Sequence, residues 1–433
     1  MGCFIYIIMA QNKNVDLSIV NDKFTEEVLK DILCKAYNGK KVQLTDWKFD
    51  NEFNKGDNYS STMYKGILYG ITDDETKQEV QVNFVVKPIP RNVGRRKTFR
   101  SAEFFSNEII FYTQVVPKFE KFLKEKGQSK LLRIPRYLAS YMDGENDFIV
   151  LEDLSPLGFE AASAESDIDW TEFLVILETL SKFHAVSFAY KDQNKEEFTE
   201  MTKCLKDTFF GKHNWNWYRK FHERLINIAK DALTEYPNNK AVKQFNSYEF
   251  GVLYDISSEL ACERKHAATS VICAGDCWAP NFLVRDIGQN QKEALLLDFQ
   301  VARTANPSTD LSSLVYSCTQ KPFRDQYFDT ILKTYHSVLS DAIKTLGSDP
   351  EKIYPWDFFM KEVKENFIVG VVFAIEAIPF ILLNPSELFD LDVIKGDKAI
   401  DIADVWVFPD IATSSGKQRL ADMLIHAVEH GYL

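Results

Sequence analysis

Three residues supply the polar chemistry of two otherwise apolar stretches. In VICAGDCWAPNFLVRD (271–286) an apolar run stops at Gly275-Asp276, and Asn281 follows five positions later. A second run, ALLLDFQ (294–300), carries Asp298-Phe299 near its end. Residues 281–286 and 294–300 read as a short hairpin, joined by a loop holding Gly288 and Asn290. Folding it brings its two ends together, and with them two carboxylates and a carboxamide. An Asp beside a hydroxyl can orient it and accept its proton. A second Asp and an Asn offer oxygen ligands to Mg²⁺. Phosphoryl transfer asks for this set, because most of its catalysis is positioning and charge neutralisation.

Other elements must then hold the phosphates. The spacing Asp276-x-x-x-x-Asn281 matches the catalytic loop of kinase-like enzymes, and Asp298-Phe299 matches their metal-binding pair. Lys87 ends the apolar strand VNFVVK, where such a lobe carries its phosphate-pairing lysine. Residues 99–116 have a helical period. Glu108 is in step with Phe104, Phe111 and Val115, whereas Glu103 falls with Asn107 and Gln114 on the polar face. A carboxylate on a buried face needs a cation, so Glu108 is the expected partner of Lys87. The turn-rich loop NKGDNYSSTMYKG (54–66), with Asn58, Ser60 and Ser61, is placed to cover phosphates through backbone N–H groups.

The remainder fits a large, mixed globular chain. It has 433 residues, 45% of them hydrophobic, and a net charge of −12. Such a surface repels nucleic acid and anionic membranes, and the short basic stretch Arg91–Arg100 reads as a solvated loop. The seven cysteines are odd in number and scattered, which fits reduced thiols in the cytoplasm and no zinc site. The first eight residues read as an uncertain leader, with Met9 a plausible second start. The run FIVGVVFAIEAIPFILL (367–383) is broken by Glu376 and Pro379 and reads as a buried core helix with no membrane insertion. Residues 41–154 read as a mixed, strand-rich part and residues 155–433 as a helical part with one embedded hairpin, with residues 1–40 a leader and one helix.

The chain resembles the insect ecdysteroid kinase-like family, within the choline and aminoglycoside kinase group. The matching stretches are KGDNYSSTMYKG, FVVKPIP, NEIIFYTQVVP, VLEDLSPLGF, LSKFHAVSFA, GDCWAPN, LLLDFQ, STDLSSL and HGYL, in family order. The resemblance implies an α+β, two-lobed protein-kinase-like fold, with a small strand-rich N-lobe and a larger, mostly helical C-lobe. It implies ATP with Mg²⁺ and transfer to a small-molecule alcohol such as an ecdysteroid. It assigns Glu152 to Leu154 to a hinge that binds adenine through backbone groups. In this reading Asp276 is the base, Asn281 and Asp298 hold the metal, and Lys87 and Glu108 serve the phosphates. The family usually has His before Gly-Asp, where this chain has Ala274. That departure motivates an alternative, a pseudokinase that binds a hydrophobic ligand without turnover. A choline- or aminoglycoside-type kinase is a further alternative.

Several residues have plainer expectations. Asp310 reads as a helix cap or loop brace, and His184 as a satisfied core histidine. HAVEH (426–430) matches a metal pattern by chance. No long activation segment or Ala-Pro-Glu element follows Asp298, which favours a small-molecule acceptor over a protein.

Overall fold

The computed structural model describes residues 16–49, 63–163, 168–383 and 391–433. The described residues up to Ile89, with Arg136–Asp153, form one compact unit. Pro90–Pro135 and the chain from Leu154 onward form a second, larger one.

The first unit is an antiparallel sheet with one helix. Helix α1 is Glu26–Ala36, and the strands are β1 Val42–Phe49, β2 Tyr64–Thr72, β3 Glu79–Pro88, β4 Tyr137–Tyr141 and β5 Phe148–Glu152. Their order across the sheet is β1-β2-β3-β5-β4. Strand β3 alternates strictly: Val80, Val82, Phe84, Val86 and Pro88 are buried, while Asn83, Val85 and Lys87 between them are only partly so. Its buried face packs with Leu29, Ile32 and Leu33 of α1 and with Phe24, Phe148 and Val150. Phe24 precedes the helix and belongs to this core. Gly66 is needed here, since a Cβ at that position would lie 2.4 Å from the Phe84 ring.

The second unit is mostly helical. It begins with α2 Val93–Thr98, α3 Ser101–Ile110 and α4 Val116–Glu125. Next come the two-residue strand β6 Glu160–Ala161, then α5 Trp170–Gln193, α6 Lys195–Thr202, α7 Trp215–Leu233, α8 Lys240–Asn246 and α9 Val252–Ser258. Strands β7 Val271–Cys273, β8 Phe282–Gly288, β9 Gln291–Leu296 and β10 Arg303–Ala305 interrupt. Helices α10 Pro307–Cys318, α11 Lys321–Thr345, α12 Pro350–Ile353, α13 Trp356–Ile381 and α14 Ser414–Glu429 follow. By composition α5 is long and apolar enough to cross a membrane, but 78% of its most apolar window is buried inside the protein.

Two expectations are corrected. The helix expected over 99–116 is broken. Arg100 takes a left-handed conformation before α3, and Phe111–Val115 form a π-helical turn after it. Asn107, expected on the polar side, is 1% exposed because the chain at Lys206 and at Gln300–Ala302 covers it. Residues 90–135, expected with the strands, pack with the helices. Asn107 is one of the ties. Its Nδ2 donates to the carbonyls of Gln300 (3.2 Å) and Ala302 (2.8 Å), and its Oδ1 accepts from the Lys206 amide (2.9 Å).

Candidate active site

Strand β7 delivers the chain to Ala274-Gly275-Asp276. Gly275 has φ +86°, and a Cβ there would meet Val301 O and Arg303 Nη1 at 2.4 Å, so only glycine suits this bend. The two amides entering the loop are held by one buried side chain. Asp310, in the first turn of α10, accepts from Ala274 N at 2.7 Å and Gly275 N at 3.1 Å. His184 Nε2 donates to Asp310 Oδ2 at 3.3 Å, and His184 Nδ1 is hydrogen-bonded to the Tyr335 hydroxyl at 2.7 Å. Burial works against the Asp310 charge. The His184 imidazole, the Arg303 guanidinium and the Ala274 amide outweigh it and hold the carboxyl below its ordinary range.

Asn281 closes the loop. Its Nδ2 donates to the Asp276 carboxylate at 2.8 Å and to the Asp276 carbonyl at 2.9 Å. Both bonds use the amide N–H groups, which leaves the Asn281 Oδ1 oxygen as a potential ligand. The residue lies in a 3₁₀ turn, Ala279–Asn281, just before β8 and not inside it. Strands β8 and β9 pair from Phe282 opposite Leu296, through a tight turn at Gln289-Asn290 where both residues have positive φ. At the base of the hairpin the Leu297 amide donates to Asn281 O at 2.7 Å, which sets Asp298 one residue beyond Asn281's partner.

Asp298 has φ +56°, a conformation that non-glycine residues rarely adopt. Its Oδ1 accepts from Gln300 N at 3.1 Å. Phe299 fixes the turn by stacking on Phe111, with centroids 3.8 Å apart and planes 11° from parallel, while Tyr112 meets it edge-on. Phe111 directly follows α3, the helix of Glu108, so the stack couples that helix to the Asp298 turn. Glu108 is 3% exposed, whereas Glu103 is exposed and paired with Arg100. Burial raises the Tyr112 phenol well above its usual range, and the charges of Glu108 and Asp298 add to that shift.

The other expected residues are in the first unit or at its edge. Lys87 is on β3 opposite Ile149, facing away from the buried Phe84 and Val86. Glu152 ends β5, its amide donating to Arg136 O at 2.9 Å, and the chain changes unit between Asp153 and the buried Leu154. Asn58, Ser60 and Ser61 lie outside the described residues. The all-oxygen donors Asp298 and Asn281 fit a hard divalent cation such as Mg²⁺.

Other sequence features resolve into plain structure. His426 is hydrogen-bonded to the Tyr316 hydroxyl, and the two rings of HAVEH stack 4.0 Å apart. Arg95, Arg96 and Lys97 donate to the backbone carbonyls of Leu391, Pro90, Arg91 and Asp397. The Trp217 indole donates to Thr98 O at 2.8 Å. Sequence reasoning gave no site role to Tyr218. Its aromatic periodicity on α7 marks only a buried face, and its polar partner lies 158 positions away.

The family model of the ecdysteroid kinase-like family matches residues 55–348, more than half of the chain. The chain belongs to that family. Its fold is α+β, with a strand-rich N-terminal sheet and a mostly helical remainder. Solved structures give weaker likenesses. A Plasmodium vivax ethanolamine kinase is 14% identical, covering 76% of this chain and 74% of its own, at TM-score 0.35. The GDP complex of wild-type aminoglycoside 2'-phosphotransferase-IIIa is 11% identical, with coverage of 78% and 96%, at 0.34. A Streptomyces rimosus aminoglycoside phosphotransferase, APH(3'')-Id, is 11% identical, with coverage of 74% and 96%, at 0.30. A search of curated proteins gives no match.

Proposed function

We propose that this family member is an ATP- and Mg²⁺-dependent kinase that phosphorylates a hydroxyl of a small, mostly apolar molecule, an ecdysteroid-like alcohol or a lipophilic xenobiotic. The observation that carries the reading is the hydrogen bond from Asn281 to the Asp276 carboxylate, at the base of the hairpin that ends on Asp298. Bound ATP and Mg²⁺ would supply the phosphoryl group and neutralise its charge. Asp276 orients the acceptor hydroxyl and takes its proton. Asn281 keeps the Asp276 carboxylate in one rotamer while its own oxygen, with Asp298, holds the metal. Lys87 serves the phosphates, Glu108 holds Lys87, and the backbone at Glu152–Leu154 takes the adenine. Asn58, Ser60 and Ser61 belong to the loop over the phosphates. The reading carries a cytoplasmic location.

Ala274 motivated the binder without turnover. The loop amides are nevertheless anchored by Asp310, so the missing histidine leaves the bend held. The test is Mg²⁺-dependent ADP release over a panel of hydroxylated metabolites, with mass spectrometry of the products. Asp276→Asn should lower kcat by about 10²- to 10⁴-fold while nucleotide still raises the melting temperature. Asp298→Asn should lose the Mg²⁺-dependent part of that rise. Equal turnover by Asp276→Asn removes the reading, and ligand stabilisation without any nucleotide response favours the binder.

A further inference from the structure

Helix α13 carries one charged side chain, Glu376, in the stretch from Asn366 to Ile381. The Tyr218 hydroxyl of α7 donates to its Oε2, and no other hydrogen bond to Glu376 is found among the described residues. No cation pairs with it there. Around Tyr218 stand Phe209, Trp217, Phe221 and Tyr254, with ring centroids 5.0 to 6.1 Å away. The residue as a whole is only partly buried, while its carboxyl group is desolvated. Pro379 follows three residues later and has no N–H to give the carbonyl of Ile375, which loosens the helix beside Glu376. Glu376 also feels the Asp276 charge.

A carboxyl group in an apolar wall is stable in its neutral form when no cation accompanies it. Here desolvation pushes it up to about 8. The Tyr218 hydroxyl pulls it down, and the Asp276 carboxylate raises it further. A neutral carboxyl both donates and accepts, which suits an alcohol or a ketone. A quaternary or primary ammonium would call for the ionised form.

We infer that Glu376 is an acceptor-binding residue, with Tyr218 as the positioning residue that fixes its rotamer, and that the acceptor is an uncharged molecule with at least two oxygens. One hydroxyl goes to Asp276; a second hydroxyl or carbonyl is hydrogen-bonded by Glu376. This rests on the kinase reading above and narrows its substrate class.

The test uses the purified full chain with ecdysone, choline and kanamycin as acceptors and ADP release as the signal. Wild type turns over ecdysone. Glu376→Ala raises the ecdysone KM about tenfold or more, as loss of a buried hydrogen bond predicts, while the KM for ATP stays within about twofold. Glu376→Gln, which keeps a donor and an acceptor, recovers most of the loss. Tyr218→Phe raises the same KM by a smaller factor. Turnover of choline or kanamycin but not ecdysone overturns the inference and the apolar acceptor class, and leaves an ATP- and Mg²⁺-dependent small-molecule kinase standing. So does an unchanged ecdysone KM in a folded Glu376→Ala protein. No turnover of any of the three by a wild-type protein that binds ATP overturns both.

Discussion

Asp310 and Glu376 are both acids inside the helical unit, and both bear on Asp276. Asp310 holds the backbone that leads into it; Glu376 lies within reach of its charge. Asp310 receives two amides and an imidazole, and its carboxyl sits below the ordinary range. Glu376 receives one phenol hydroxyl, and its carboxyl is pushed up to about 8. The same residue chemistry is thus used in two ways. A buried acid given enough donors becomes a fixed anion that serves as an anchor. One starved of donors remains a neutral, adaptable group with capacity to spare for a ligand.

The largest expected effect comes from breaking the anchor. Asp310→Asn keeps the shape but offers one acceptor oxygen to three donors, and its new NH₂ faces an N–H group. Urea denaturation should show a loss of about 3 to 5 kcal/mol, the cost of removing one partner from a buried charged network. The kcat should fall with it, because the entry to Asp276 is no longer fixed. A stability loss below about 1 kcal/mol would mean that Asp310 is not what holds the loop.

The next effect is one of sign. A carboxyl raised from about 4.5 to about 8 on folding makes the folded state bind the extra proton. Its contribution is complete below about pH 4.5, declines as pH rises towards about 8, and is constant above that. Wild type and Glu376→Gln should therefore be similar at pH 4.5 and diverge towards pH 8, with wild type the less stable. Asp310 has the opposite sign. Its contribution is full above its ordinary value of 3.8 and is lost as pH falls through the lowered folded value. Melting curves between pH 3 and 9 would separate the two, and parallel curves for wild type and Glu376→Gln would remove the contrast.

A smaller shift sharpens the Glu376 side. Tyr218→Phe deletes the one group that pulls its carboxyl down, so the pH at which the loss of stability levels off should move upward while its onset near pH 4.5 stays in place. The smallest effect is at Ala274. Because Asp310 grips amides and not a side chain, Ala274→Ser should leave kcat within about threefold and cost less than about 1 kcal/mol, provided the hydroxyl finds a partner. A large fall in kcat would show that residue 274 contributes chemistry of its own.

Local patterns made much of this legible beforehand. The alternation of β3 puts Lys87 opposite the core face, and the hairpin is written in two apolar runs with Asn290 between them. Asp276 and Asn281 are five positions apart, so their contact depends on one turn. Other features depend on long-range packing. The helical period puts Asn107 on the polar side, but the carbonyls of Gln300 and Ala302, nearly two hundred positions away, bury it. The grouping of residues 90–135 with the helices has the same origin. Glu376 could be singled out as the polar interruption of an apolar run, but its partner Tyr218 lies in a different helix, where sequence shows only an aromatic stripe.

The grip of Asp310 on Ala274 and Gly275 has a further consequence. An anchor that recognises peptide groups cannot tell one side chain from another, since every residue except proline offers the same N–H. The identity of residue 274 is therefore constrained by volume and left open by chemistry. Gly275 has no such latitude, because its φ and its closeness to Val301 and Arg303 exclude a Cβ. Two neighbouring positions thus carry very different amounts of information about whether the loop is built. A signature that scores the residue before Gly-Asp by its side chain would mark this chain as degenerate. One that scores the glycine, the aspartate and the distant Asp310 together would read it as intact.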